Sequence, residues 1–429
     1  MRFVRKSEKL DHQVDLLGGV DLLDGVSIAL QRVRLLLDRR RGQRAKRMLM
    51  VSQHPFPQHP TLRRNVDYIL EQGWELDVVC TSEPPFPPVP ARPGLELRRL
   101  RLQHRRSSAL SYPAEYLRFF LRAVPRVTWF SLRRGYRCVQ VDNLPDFLVF
   151  IAIVARMRGA RVVLFMYELM PELTCSRLQV TTGHPLVRLT AWLEQRAIAW
   201  ADAVIIVNEP CRRRLVERGA DPGKVMVVPN SQPARPAVPA TAPSGPSSLV
   251  THATLIERYG VQVAIHALAA LRARRPETKL SVLGDGDHRP QLEQLAKDLG
   301  LADGIEFTGF LPWEEAMARI RGSTVGIVAV LADGYGEFLL PGKLFDYVAE
   351  GIPAVCSRLP TIQEYFPADA VAYFEPGDPA ALAAQVERLL RDANLRRVQA
   401  EKAREALSTL SWECASRTYL AALEPASCS

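Results

Sequence analysis

The stretch of this sequence best suited to chemistry is 335–357, YGEFLLPGKLFDYVAEGIPAVCS. A loop leads to Pro341, a favourable first helical residue, and Gly342 and Lys343 follow in the first turn. There the lysine ammonium and the unpaired N–H groups of a helix start converge on one anion. Asp346, one turn further in, is placed to accept hydrogen bonds from two vicinal hydroxyls, as on a ribose. Gly351 stops the helix and a buried strand follows. A phosphate binder and a ribose binder one turn apart suit a nucleotide. A capped surface helix does not account for a lysine at the positive end of the dipole, where it is unfavourable without an anion.

Two other loops carry related chemistry. In HATLIERYG (252–260) a helix opens near Gly260, and Arg258 projects at its N-terminus. A fixed guanidinium there suits a diphosphate; a solvated surface arginine is the alternative. Gly284-Asp285-Gly286-Asp287-His288-Arg289 contains GxG, but Arg289 stands where a dinucleotide fingerprint needs its third glycine. Asp285 and Asp287 match a DxD metal pattern. The tight turn instead favours Asp287 as a helix N-cap, and no metal site is expected.

The elements that must position these residues follow from composition and pattern. The chain has 429 residues, 47% hydrophobic and 24% charged, a globular balance that excludes disordered and collagenous classes. At about 100–200 residues per domain, two or three domains are expected. The longest apolar run, 147–155, falls short of the roughly 20 residues of a spanning helix. The N-terminus has no apolar core of signal-peptide type. The 7 cysteines show no CxxC spacing, which points to a reducing cytosol without a metal cage.

Near-continuous apolar runs at 48–53, 76–80, 138–142, 161–167 and 203–208 predict parallel strands covered on both faces. Helical spacing appears at 61–72, 113–131, 146–158, 184–200 and 210–218. Beyond a proline-rich stretch the alternation resumes, with strands at 248–252, 279–283, 305–308, 324–330, 353–357 and 370–374. Helices are expected at 260–274, 289–299, 313–320, 342–350 and 378–391. Such alternation implies βαβ units and parallel sheets. The fold class is therefore α/β, with two Rossmann-like domains facing across a cleft. The expected division is a basic N-terminal extension at 1–46, a first domain at 47–230, a linker at 231–247 and a second domain at 248–394. A final segment, 395–429, carries one helix over about 395–424 that crosses back to the first domain.

Charge is uneven. Residues 1–230 hold 37 Lys+Arg against 22 Asp+Glu, whereas the remainder holds 19 against 24. The basic half suits nucleic acid, an anionic membrane or an acidic substrate, or is a solvated arginine-rich surface. Within 1–46 the apolar spacing of Leu22, Val26, Leu30, Val33 and Leu37, beside Arg32, Arg34 and Arg39–Arg41, reads as a basic amphipathic helix able to lie on a membrane. Docking on its own domain, or a translation start set too far upstream, are the alternatives.

In order and spacing, several segments resemble retaining GT-B glycosyltransferases of glycosyltransferase family 4. They are FPQHPTLRRNVDYILEQGWELDVVCT (56–81), LFMYELMPEL (164–173), EQRAIAWADAVIIVN (194–208), KVMVVPN (224–230), HATLIERYG (252–260), LSVLGDGDHRPQLEQLA (280–296), IEFTGFLP (305–312) and LPGKLFDYVAEGIPAVCSRLPTIQEYF (340–366). The resemblance spans about 48–424. It implies a GT-B fold and a nucleotide-diphosphate sugar as donor substrate, with no cofactor. Arg258 and Lys343 would hold the donor diphosphate and Asp346 the ribose, with Pro341 and Gly342 at the helix start. Thr254 and Gly284 would line the donor side. The backbone at 307–311, including Gly309 and Phe310, would meet the base. Glu337 lies near the first acid of the family's E-x7-E signature, which contacts the donor sugar; the register here is off by one, and Asp346 replaces the second Glu. On the acceptor side the family's His-Asp pair is replaced by Tyr167-Glu168, followed by Pro171-Glu172. Glu168 would take over the histidine's role, unless the activity is altered or lost. His54 would face the cleft.

The implied chemistry is glycosyl transfer with retention, in cell-surface glycan or lipid-linked saccharide synthesis. Eleven arginines against one acid, Glu115, fall between 98 and 137. On the helix 113–131, Arg118, Arg122 and Arg126 recur every four residues among Tyr116, Phe119, Phe120, Trp129 and Phe130. A basic aromatic surface of this kind suits a lipid-linked acceptor on an anionic membrane, so a cytoplasmic protein peripheral to the inner face of the plasma membrane is expected. No nucleic-acid reader module appears. The rival readings are a sugar-nucleotide epimerase on the same scaffold and a catalytically silent nucleotide-sugar binder.

Overall fold

The computed structural model describes residues 46–82, 89–101, 111–231 and 247–424. The amphipathic helix expected within 1–46 and the linker residues 232–246 lie outside them. The apolar runs build two sheets in which every pairing is parallel. The first contains β1 (Arg47–Pro55), β2 (Glu75–Ser82), β3 (Leu95–Arg101), β4 (Cys138–Asp142), β5 (Arg161–Met166), β6 (Ala203–Ile206) and β7 (Val225–Val227), in the order β3-β2-β1-β4-β5-β6-β7. The second contains β8 (Ser248–His252), β9 (Lys279–Leu283), β10 (Ile305–Gly309), β11 (Val325–Val328), β12 (Ala354–Ser357) and β13 (Ala372–Phe374), in the order β10-β9-β8-β11-β12-β13.

Both faces of each sheet are covered, which is why its central strands are largely apolar. Along β1, Leu49 and Val51 join one core cluster with Phe119 and Val127. Met48 and Met50 join the opposite one with Leu62, Val66 and Ile69. The helices of the first unit are α1 (Pro60–Glu71), α2 (Ser111–Arg133), α3 (Ile153–Met157), α4 (Met170–Leu178), α5 (Pro185–Trp200) and α6 (Glu209–Glu217). Those that follow are α7 (Val261–Arg272), α8 (Arg289–Asp298), α9 (Trp313–Arg321), α10 (Gly342–Ala349), α11 (Pro360–Tyr365), α12 (Pro379–Arg391), α13 (Ala393–Ser408) and α14 (Trp412–Leu423). In each sheet the strand order reverses beside the first strand, at β1/β4 and at β8/β11. Crevices for ligands open at the carboxyl ends of strands flanking such reversals.

Several elements differ from expectation. The edge strand β3 was not anticipated, because its sequence LELRRLR is charged rather than apolar. The three-residue β7 and the short helices α4 and α11 also add to the pattern. The helix expected at 146–158 is a 3₁₀ turn over Asp146–Ala152 followed by α3. The single closing helix is two helices, α13 and α14, broken at Thr409 to Ser411. Ala403 and Leu410 bury in the core of the second sheet. Trp412 and Tyr419 bury against the first, where Tyr419 donates to Gln140 at 2.7 Å and the Arg64 guanidinium lies 3.9 Å above the Trp412 ring. One straight helix would not reach both surfaces.

Candidate active site

On the second sheet the site is built by loops that follow β8, β9 and β11. Gly260 ends the turn after β8 in the left-handed region (φ +66°), and a Cβ there would come within 1.7 Å of the Ala329 carbonyl oxygen. Only glycine permits this close approach. The same constraint applies at Gly284, with φ +117° and the Ala253 carbonyl 2.0 Å from a would-be Cβ. The glycines of the GxG sequence therefore knit neighbouring loops together. Leu255 N–H donates to Asp285 O and His288 N–H to Leu255 O, each at 2.9 Å, and Gly284 N–H donates to Gly309 O at 2.9 Å. This clamp starts α8 at Arg289, with His288 rather than Asp287 at the N-cap position and no side-chain cap. Asp285 pairs with Arg289 at 3.2 Å. Among the described residues no group of three or more His, Cys, Asp or Glu is placed to hold a metal ion.

Lys343 is the second residue of α10, and Pro341, expected as the first helical residue, is its N-cap. Its side chain is almost wholly buried, and its Nζ has no hydrogen-bond partner. The Tyr259 ring lies 5.2 Å away, measured to its centroid. Burial pulls the ammonium down to about 7, partly opposed by the Cys356 thiol. No side chain caps this helix start. A buried, unpartnered ammonium beside open helix N–H groups is chemically able to take an anion. One turn on, Asp346 Oδ2 lies 3.1 Å from His252 Nε2. The histidine engages one carboxylate oxygen and can orient the group.

Arg258 sits in the 3₁₀ turn Glu257–Tyr259. It does not project freely. Its Nε donates to Asp333 Oδ2 at 2.6 Å, one Nη donates to Ser176 Oγ, and its plane lies 4.6 Å above the Tyr335 ring. Burial alone would raise the Asp333 carboxyl, but hydrogen bonds from Arg258, Ser176 and the Gly336 N–H hold it below its ordinary value. Two of the guanidinium's five N–H donors are thus used for orientation.

Ser176 belongs to α4 of the first unit, so this cluster bridges the two sheets. Glu168 reaches it from the end of β5. Burial raises its carboxyl, while the nearby Arg177 and Arg258 and a hydrogen bond with the Tyr335 hydroxyl oppose the rise. Further along the same contact, Asn208 Nδ2 donates to Phe338 O at 2.9 Å and Tyr365 Oη accepts from Glu209 N–H at 2.7 Å. Glu337 lies in the 3₁₀ turn Gly336–Phe338, with a buried Oε2 that has no partner. Thr254 is exposed on the loop after β8, and Phe310 is 78% exposed beside Gly309, open to a stacked base.

The first-sheet residues divide. His54 and His59 stack with ring centroids 3.9 Å apart, and both rings stand nearly perpendicular to the Tyr167 ring, at 4.9 and 5.3 Å. The Tyr167 hydroxyl turns to Asp142, 3.3 Å away. This tyrosine therefore packs the loop instead of presenting a free polar group. Glu172 departs from its expected acceptor role. It is buried in an ion cluster, bonded to Arg214 at 2.9 Å and to Arg218, which also holds Glu194 at 2.9 Å. Glu172→Ala is expected to cost about 1–3 kcal/mol by leaving Arg218 short of a buried acceptor, read from the urea midpoint. Unchanged stability with lost turnover would restore the acceptor role.

Sequence reasoning missed His252, Asp333, Tyr335, Tyr259 and Ser176. Only His252 had a usable signal, its position at the carboxyl end of a strand beside the order reversal.

Comparisons with known proteins bear on the family and the fold. Residues 58–231 match the Glycosyl transferase 4-like domain, and residues 239–406 match Glycosyl transferases group 1. Together with the fold, these matches place the chain among the GT-B glycosyltransferases of family 4 type. The putative colanic acid biosynthesis glycosyltransferase WcaL of Salmonella typhimurium is 28% identical over 207 residues, 46% of this chain and 50% of that protein. The chain thus spans half the length of this relative. A sucrose-phosphate synthase from Thermosynechococcus elongatus superposes with a TM-score of 0.66 at 18% identity, covering 88% of this chain and 97% of that one. Anabaena HepE, crystallised with UDP, gives 0.62 at 14% identity, covering 88% and 99%.

Proposed function

We propose that the protein transfers a sugar from a nucleoside-diphosphate sugar to a hydroxyl acceptor, with retention of configuration and without a metal ion. The observation that carries this reading is Lys343, a buried ammonium without a partner at an open helix start. The UDP in the HepE crystals and the naming of WcaL for colanic acid biosynthesis support a nucleotide-sugar donor and a cell-surface glycan product.

In this mechanism the acceptor oxygen attacks the anomeric carbon on the face the diphosphate leaves. The bond from that carbon to the diphosphate oxygen breaks, and the acceptor proton passes to the departing phosphate. Negative charge grows on the leaving group, and Lys343, the Arg258 guanidinium and the α10 N–H groups stabilise it. Asp346, oriented by His252, takes the ribose hydroxyls, Phe310 stacks on the base, and Glu337 and Glu168 hold hydroxyls of the sugar and acceptor. No carboxylate nucleophile is needed, so tyrosine at 167 is compatible with turnover.

The test is a thermal-shift screen of UDP-, GDP-, ADP- and dTDP-sugars, followed by NMR of product or hydrolysis anomers in EDTA. At a hundredfold excess over Kd, a true donor stabilises the fold by about 2.7 kcal/mol. Inversion, or activity lost to EDTA, overturns the mechanism. Binding without release of sugar would mark a silent binder.

A further inference from the structure

The large apolar side chains on the protein's surface are not scattered. Nine of the eleven exposed ones among the described residues lie on α2, α3 and α5. These three helices are neighbours: α2 touches α3, and both α2 and α5 touch the 3₁₀ turn at 146–152. None of the nine is explained by the donor site.

On α2 the pattern is sorted by angle. Phe119, Ala123, Val127 and Phe130 face the core. Leu117, Leu121 and Leu132 form an exposed stripe beside them, with Trp129 at its edge. Arg118, Arg122, Arg126 and Arg133 form the next stripe, also exposed. Among the described residues no carboxylate pairs with these four arginines. Arg122 and Arg126 donate to main-chain carbonyls, and Arg133 lies 4.3 Å above the Trp129 ring. Ile153 and Met157, the latter 72% exposed, continue the apolar area on α3. Across the 3₁₀ turn, α5 exposes Leu186, Leu189 and Trp192, flanked by the exposed Arg188 and Arg196.

We infer that this face docks the protein on an anionic lipid bilayer. An apolar stripe bordered by unpaired arginines and tryptophans matches the interface region of a membrane, where acyl chains lie beneath negatively charged headgroups. Arginine stems can lie along the apolar surface while their heads reach the phosphates. A second copy of the chain is the poorer occupant, because a two-fold contact would set this arginine row against itself. The inference deepens the proposed function by putting the acceptor at a membrane, and it rests on that reading only for the acceptor.

The test is flotation of the full-length chain with phosphatidylcholine vesicles, with and without phosphatidylglycerol, at low and high salt. Its readout is independent of transfer activity, so its failure and the failure of the enzymatic reading are distinguishable. The expected result is flotation only with phosphatidylglycerol, reduced by salt. Each arginine near an anionic surface contributes about fivefold to partitioning, so R118Q/R122Q/R126Q should lower the partition coefficient about a hundredfold. L117S/L121S/M157S should lower binding at low salt while the melting curve stays cooperative, since all three side chains are exposed. No flotation of the wild type, or flotation unaffected by both variants, overturns the proposal. Self-association in sedimentation velocity that the same variants abolish, without vesicle binding, assigns the face to a protein contact and overturns it too.

Discussion

Lys343→Met is expected to abolish stabilisation by nucleoside diphosphates and to lower turnover about 10²–10³-fold, while the empty protein melts at an unchanged or higher temperature. The loss corresponds to about 3–4 kcal/mol of transition-state stabilisation, the usual effect of removing one positioned donor from a dry site. The unchanged melting follows from burial. Methionine fills a similar volume with no charge to desolvate, whereas Lys343 has no partner to offset its own cost. The pH dependence follows from the same burial. The ordinary lysine value is 10.5 and the folded one about 7. Between these values the unfolded chain binds a proton that the folded chain has released, so Lys343's contribution to stability rises with pH there. A bound diphosphate favours the charged form, and binding must take up that proton. Affinity should therefore fall as pH rises above about 7, by up to tenfold per unit. Calorimetry across buffers of different ionisation enthalpy reads this uptake directly. Flat affinity from pH 7 to 9, or a Lys343→Met protein that still responds normally to the diphosphate, would remove the anion site.

Arg258→Ala should also lower turnover about 10²–10³-fold, but with a different signature. Arg258 is tied to Asp333 and Ser176 across the two sheets, so its loss removes the carboxylate's ion-pair partner as well as the ligand's charge partner and leaves only the Ser176–Asp333 bond of that cluster. The expected result is a higher KM together with a lower kcat, and easier proteolysis between the two units. Arg258→Lys keeps the charge but loses the fork and the stacking on Tyr335, so it should recover only part of the rate. Steady-state kinetics with the donor found by the screen decide the matter. Near-wild-type turnover in Arg258→Ala would exclude this guanidinium from leaving-group stabilisation.

The strands that read as unbroken apolar runs were legible to within a few residues, because a strand covered on both faces has no room for alternation. β4 and β9 were placed with the observed ends. β3 was hidden because an edge strand with one solvated side carries charges that look like a loop. The closing break at Thr409 to Ser411 has neither glycine nor proline to announce it. It exists because the two helices bury their apolar faces on different sheets.

The site divides along the same line. Pattern alone placed Lys343 and Asp346 one turn apart on one helix, because helical spacing is local and fixes which side chains share a face. What those side chains meet is decided by segments far apart in the chain. Arg258 finds its carboxylate 75 residues away and its hydroxyl 82 residues away on the other sheet. Glu172, next to the cleft loop in sequence, is drawn into an ion cluster by Arg214 and Arg218. Whether a charge stands free for a ligand or is consumed by a neighbour depends on burial and partners. Both are set by how two sheets and their helices close over one another, and neither is encoded in the spacing of a single segment.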